Sequence, residues 1–128
     1  MRTSAWITGA ALLVFVGLFA PRVFTNTQTV TGRLIDLVCY AQDKDNTGNH
    51  HKGRGLNCAL ACVKGEGAPV GILTADGTLY QVTGPMTADN NAKLAPHLLH
   101  KVTITGDVGG KSELMTIAAT DLKTVAAQ

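Results

Sequence analysis

The chain has 128 residues, which is enough for one domain and too few for two. Apart from Arg2 and Arg22 near its start, it carries nine basic and nine acidic residues. A domain with this balance lacks the basic surface that neutralises phosphates, so we expect no nucleic acid partner.

Residues 1–24 predict an N-terminal membrane anchor or an uncleaved signal sequence. An uncharged apolar run covers residues 5–20 and follows a positive residue, Arg2, which favours the cytoplasmic side. Leu18 and Pro21 oppose cleavage at the end of this run. The run is short for a spanning helix, which usually needs about 20 residues, so a cleaved signal stays open. The rest of the chain is predicted in the periplasm or another extracytoplasmic space, held at the membrane by residues 5–20.

Residues 25–29 are polar and predict a tether between the membrane and a folded domain, which covers residues 30–128. The domain begins with a run rich in β-prone residues, and we predict a first strand within Thr29–Tyr40. Gly32 lies inside this run and predicts a bulge or a bend in the strand.

The next segment, Ala41–Gly55, is polar and has no apolar periodicity, which predicts a long loop. It carries His50 and His51. After it, Asn57 is suited to cap a helix of about two turns that reaches Lys64 and bears two cysteines.

The second half of the chain predicts mostly strands. Two β-prone runs within Ala68–Gly84 flank Asp76 and Gly77, a pair that favours a tight hairpin turn. A weakly helical segment interrupted by Pro96 follows. The last two predicted strands, joined by a turn at Gly109 and Gly110, are Lys101–Val108 and Ser112–Val125.

The predicted elements make a mostly β domain. Five strands, with a helical piece between the third and the fourth, follow the order of an OB-fold, a five-stranded, partly open Greek-key barrel. We therefore predict an OB-like barrel with a short Cys-bearing helix, preceded by an N-terminal membrane helix.

Four stretches of the sequence carry a resemblance to a protein family: TGRLIDLVCY, HHKGRGLNCALACVKGEGAPVGIL, LYQV and KVTITGDV. With them, the region from Val30 to Val125 resembles a group of small exported bacterial domains with an OB-like fold, which are largely uncharacterised. The first two stretches are distinctive together, whereas the two strand motifs are common in β proteins. The resemblance implies the fold and an exported location, and it implies no particular activity.

The sequence contains three cysteines, an odd number for an exported protein, so at least one is free, intermolecular or bound to another group. Cys58 and Cys62 are four residues apart and share one face of a helix, with Cβ atoms about 5–6 Å apart. This separation favours two thiolates on one metal ion over a bond between them. Cys39 ends the predicted first strand, and the long loop brings His50 or His51 near the helix.

The three cysteines and two histidines predict a metal site, formed by Cys39, His50, His51, Cys58 and Cys62. Three sulfur ligands and one nitrogen ligand suit zinc, and they also suit an iron–sulfur cluster in which histidine takes part. With one ligand lost, the set suits a thiophilic ion such as Cu(I). Covalent haem is not expected, because the cysteine spacing is C-x-x-x-C and Val63, not histidine, follows Cys62.

Two alternatives to a metal site remain open. In an oxidising compartment Cys39 can form a disulfide with Cys58 or Cys62 and staple the loop to the barrel. A thiol redox enzyme that uses Cys58 and Cys62 is the weaker alternative, because the sequence lacks C-x-x-C and a thioredoxin-like βαβ order.

Three further polar residues near apolar runs are less specific candidates. His97 and His100 would share a face of a helix, but they are interpreted as solvated surface residues rather than ligands. Asp36 could orient His51 as a second-shell acceptor, and the favoured interpretation is a surface or turn aspartate.

No set of residues in the sequence forms a recognisable catalytic site, so we do not expect an enzyme. The first functional hypothesis is a membrane-anchored periplasmic module, an accessory subunit of a larger membrane complex such as an electron-transfer complex. The second is a metal-handling protein that binds zinc, copper or an iron–sulfur cluster through Cys39, His51, Cys58 and Cys62.

Overall fold

The computed structural model describes residues 26–47 and 55–126. The predicted anchor over residues 5–20, and both histidines of the long loop, His50 and His51, lie outside the described residues. Within these two ranges, no helix has the length and the apolar character needed to cross a membrane.

The described chain is built mainly from strands. Five strands are present: β1 (Thr27–Asp36), β2 (Val70–Leu73), β3 (Leu79–Thr83), β4 (Lys101–Lys111) and β5 (Leu114–Thr124). The helical elements are α1 (Leu37–Gln42), α2 (Gly55–Leu60), a π-helical segment (Ala61–Gly65), two 3₁₀ turns (Pro85–Thr87 and Ala95–His97) and a short turn (Ala88–Asn91).

The five strands form one sheet that closes on itself in the order β1-β2-β3-β5-β4. All neighbouring strands are antiparallel except β3 and β5, which run parallel. β1 closes the ring because its first part pairs with β4 and its last part pairs with β2. The prediction of a mostly β domain with five strands and a short Cys-bearing helix is thereby confirmed.

The interior of the ring is apolar. Inward-facing residues alternate with outward-facing ones along β1 and β4, as expected of strands with one buried face. The fully buried side chains at the centre of the core include Leu34, Ile72, Leu98, Ile104 and Ile117.

β1 differs from its predicted bounds at both ends. It begins at Thr27, so most of the segment predicted as a tether, residues 25–29, pairs with β4 as part of the sheet. It ends at Asp36, and the β-prone residues that follow form α1 instead of more strand. The prediction that Cys39 ends the first strand is therefore wrong, because the Asp36 side chain caps a helix at this point.

The predicted hairpin is confirmed. β2 and β3 pair antiparallel, and Gly77 in the turn between them has φ of +87°, a conformation that favours glycine. In contrast, Gly109 and Gly110 do not form the predicted turn, since β4 continues through them to Lys111. β4 and β5 are interrupted by a bulge, where the register shifts between Thr105 and Gly106 of β4.

Candidate metal centre

Three thiols from separate turns of the chain meet beside the barrel. Cys39 lies on α1, Cys58 on α2 and Cys62 on the π-helical segment. Their three Sγ atoms all lie within 4.8 Å of one another. Cys39 is buried, whereas Cys58 and Cys62 are partly exposed, so the cluster is reachable from one side. The predicted meeting of these three cysteines is confirmed.

Asp36 holds the cysteine of α1 in place. Its Oδ1 accepts hydrogen bonds from the backbone N–H of Val38, at 2.8 Å, and of Cys39, at 3.3 Å. The N–H groups of a first helical turn have no partner within the helix, so a side chain that accepts from them fixes where the helix starts. Asp36 is fully buried, which corrects its interpretation as a surface residue.

Asn46 fixes the other end of the same helix. Its Nδ2 donates to the carbonyl oxygen of Cys39 at 2.9 Å, and the backbone N–H of Asp43 donates to that oxygen at 3.0 Å. Asn46 is itself buried. Cys39 is therefore held through its backbone N–H and carbonyl groups by two polar side chains. Asn46 was not among the predicted site residues.

Two buried oxygen atoms next to Cys39 accept no hydrogen bond from an N–H or O–H group of the described residues. They are Oδ2 of Asp36 and Oδ1 of Asn46. An unpaired buried acceptor costs about 1–3 kcal/mol, so such atoms are rare and usually face an ion, a water molecule or another donor. Both atoms belong to residues that bond the backbone of Cys39, which marks this corner of the fold as a polar site.

The helix with the other two cysteines changes its winding between them. It is α-helical to Leu60 and π-helical from Ala61 to Gly65. α2 covers Gly55–Leu60, so Asn57 lies inside it. The prediction that Asn57 caps this helix is therefore wrong. Short π segments within α-helices are frequent at functional sites, because they rotate the side chains that follow.

The π segment is anchored to the barrel by apolar and polar contacts. Ala59 and Val63 are fully buried in the core, and Cys62 packs against it while staying partly exposed. The side chain of Asn91 donates to the carbonyl oxygens of Val63, at 3.0 Å, and Ala68, at 3.1 Å. Asn91 adopts a left-handed conformation with φ of +58°, which is uncommon outside glycine, although asparagine tolerates it.

Burial and negative charge raise the pKa of two of the thiols, those of Cys39 and Cys62. Burial raises the pKa of Cys39 to about 12, and a hydrogen bond to the carboxylate of Asp36, with its charge, acts in the same direction. Burial is also the main cause that raises the pKa of Cys62, followed by the charge of Asp36. A hydrogen bond with Cys39 acts in the opposite direction on Cys62. Thiolates gathered in this place therefore need a compensating cation.

The structure joins some of the predicted ligands and separates others. Cys39, Cys58 and Cys62 form the cluster, and no disulfide joins any two of them. His97 is partly exposed on a 3₁₀ turn and His100 is exposed beyond it, and neither belongs to the cluster. Their interpretation as surface residues agrees with these positions.

No protein-family model matches this chain, and no curated protein or solved structure is significantly similar to it. The resemblance to small exported OB-like domains stays a prediction. The function therefore has to be inferred from the chemistry of the site.

Proposed function

We propose that this protein is a metal-binding module in which Cys39, Cys58 and Cys62 hold one thiophilic metal ion. The observation that carries the proposal is the mutual approach of the three Sγ atoms to within 4.8 Å. Thiolate is the ligand that Zn²⁺ and Cu(I) share, and both are bound by clusters of cysteines.

The spacing of the sulfur atoms favours a single ion over an iron–sulfur cluster. Two thiolates on one tetrahedral zinc ion lie about 3.8 Å apart, as follows from a Zn–S bond of about 2.3 Å. The observed upper limit of 4.8 Å requires only a small contraction to reach this value. In a [4Fe–4S] cluster each cysteine binds a different iron atom, and in a [2Fe–2S] cluster only two of any three cysteines share one iron. In either cluster some of the three sulfur atoms would lie farther apart than two bonds to a single shared ion allow.

The fourth ligand distinguishes the two ions. Zinc in structural sites takes four ligands, and His51, or alternatively His50, completes a set of three sulfur atoms and one nitrogen. Copper(I) is satisfied by the three thiolates alone. The buried carboxylate of Asp36, whose Oδ2 accepts no N–H or O–H group of the described residues, supports the zinc arrangement, since a metal-bound histidine usually donates its second ring N–H to a carboxylate.

The wider setting of the module is part of the proposal. An OB-like barrel is supported by the five-stranded sheet that closes on itself. For a membrane-anchored, extracytoplasmic location, the support is the apolar run at residues 5–20. An accessory role in a larger membrane complex stays a prediction, and the clustered thiols favour metal binding as the function.

Metal reconstitution of the full-length chain tests the proposal. The protein is reduced without oxygen, stripped of metal with a chelator, loaded with Zn²⁺ or Cu(I), and analysed by native mass spectrometry and elemental analysis. We expect one ion per chain, lost in each of the single variants C39S, C58S and C62S. Zinc binding is expected to weaken in H51Q or H50Q, whereas Cu(I) binding is expected to persist in both.

The control variant is H100Q, which removes an exposed histidine outside the cluster and should bind metal normally. Retention of a full metal equivalent by C39S or C58S would contradict the proposal. The disulfide alternative predicts a different result: protein isolated without reductant would be lighter by two hydrogen atoms, and it would take up metal only after reduction.

A further inference from the structure

An open cavity of about 430 Å³ lies on the outer side of the barrel, where β1, β2 and β4 come together, and none of the three cysteines lines it. Its volume is within the range of about 300–1,000 Å³ that is typical of small-molecule sites. Its described lining contains two cationic side chains and no carboxylate. The lining residues are Thr31, Gly32, Arg33, Thr47, Leu73, Thr74, Ala75 and Lys101.

The two cations face each other across the sheet. Arg33 of β1 and Lys101 of β4 are direct partners in the register of this strand pair. Like charges at directly opposed positions destabilise a sheet unless a counter-charge lies between them. Among the described residues the ion pair between Lys123 and Asp121 is the only one, so neither cation of the cavity is neutralised by the described fold.

A strained backbone position holds the arginine at the cavity. Leu99 is buried and has φ of +65°, a left-handed conformation that is rare for a leucine. Its N–H donates to the carbonyl oxygen of Leu34, at 2.7 Å, and its own carbonyl oxygen accepts from Nη1 of Arg33, at 2.7 Å. Strain of this kind persists where the surroundings enforce it, and it is concentrated at functional sites. A guanidinium has five N–H donors, so this bond holds the group without exhausting it.

The rest of the lining suits a ligand with both polar and apolar parts. Leu73 and Ala75 provide apolar surface next to the cations, and Thr47 adds a hydroxyl. The carboxylate nearby in sequence, that of Asp76, does not line the cavity. It accepts hydrogen bonds within its own turn, from the Thr74 hydroxyl and the N–H of Thr78.

We propose that this cavity binds a small organic anion, whose carboxylate or phosphate group lies between Arg33 and Lys101 and whose carbon skeleton packs on Leu73. Arg33 binds the anion through paired N–H groups, and Lys101 adds a point charge. This binding site is separate from the cysteine cluster, and it does not depend on the identity or the presence of a metal.

Ligand titrations followed by amide chemical shifts test the proposal. The full-length chain, reduced and metal-free in a nonionic detergent, is titrated with phenyl phosphate, with benzoate and with benzyl alcohol as a neutral analogue. We expect at least one anion to cause saturable chemical-shift changes at the amides of Gly32, Leu73 and Lys101. Benzyl alcohol should bind about tenfold more weakly or not at all. The stronger of the two anions identifies the head group that the site selects.

Three variants assign the binding to the two cations. R33Q and K101Q should each weaken anion binding about tenfold. The matched control K111Q removes a lysine of β4 that does not line the cavity and should leave binding unchanged. Thermal melting checks whether each variant is folded. If R33Q is unfolded, K101Q alone tests the proposal.

Three results would overturn the proposal: no binding of either anion, equal binding of benzyl alcohol, or equal loss in K101Q and K111Q. None of them bears on metal binding, because every titration is done without metal.

Discussion

Replacing Asp36 by alanine should destabilise the domain and loosen its metal site together. The substitution removes the acceptor for two backbone N–H groups, those of Val38 and Cys39. Loss of a helix cap costs about 0.5–2 kcal/mol. Because Asp36 is fully buried, water cannot replace the lost bonds, and we expect the upper end, about 2 kcal/mol. The variant D36N keeps an acceptor of the same size and should retain most of the stability.

Urea denaturation of the reduced, metal-free protein measures this difference. With a slope of about 2 kcal/mol per molar urea, a loss of about 2 kcal/mol lowers the midpoint by about 1 M. The same variants are then loaded with zinc, and D36A should bind it more weakly, because α1 no longer fixes Cys39. Equal midpoints for D36A and the wild type, or an equal fall for D36A and D36N, would refute the assignment of Asp36 as the cap.

Three further predictions address other parts of the fold. N91A removes the amide that bonds two buried carbonyl groups and should lower the free energy of unfolding by about 2 kcal/mol, measured by urea denaturation. G106A should lower the melting temperature strongly, because the added Cβ would lie 2.2 Å from the carbonyl oxygen of Ala118. The control is G65A, whose added Cβ would have no other atom within 4 Å. The stability of the reduced, metal-free protein should fall as the pH rises from 9.0 towards about 12, since the pKa of Cys39 is raised in the folded state and the unfolded thiol ionises first. The stability of C39S should fall less over the same pH range. An equal fall in C39S and the wild type would show that ionisation of Cys39 is not the cause.

The strands with clear periodicity could be predicted from sequence, and the local capping events could not. The hairpin around Asp76 and Gly77 follows from a residue pair with a strong turn preference, and the structure contains it. The segment after Asp36 has β-prone residues, and propensity alone extends the strand through them. A single buried side chain that accepts two N–H groups outweighs this weak preference. An aspartate at the end of an apolar run was the available signal for a helix start.

The cysteines of the candidate site could be predicted, whereas the groups that position them could not. The spacing of Cys58 and Cys62 is enough to place two thiols on one helical face. The π-helical segment after Leu60 is accompanied by tertiary contacts of Val63 and Asn91, which have no signature in the local sequence. Asn46 lies in a polar stretch where nothing distinguishes it from its neighbours, although its burial makes it part of the site.

The way in which the ring closes has a consequence for the order of folding. β1 pairs with β4, and in this register Thr27 meets Asp107, so the sheet cannot close until most of the chain has been synthesised. Contacts this distant in sequence form slowly, because the intervening chain must first lose much of its freedom. All three thiols lie within residues 39–62 and emerge well before the closing strand. A metal ion that bound at that stage would order the cysteine segment before the sheet closes beside it.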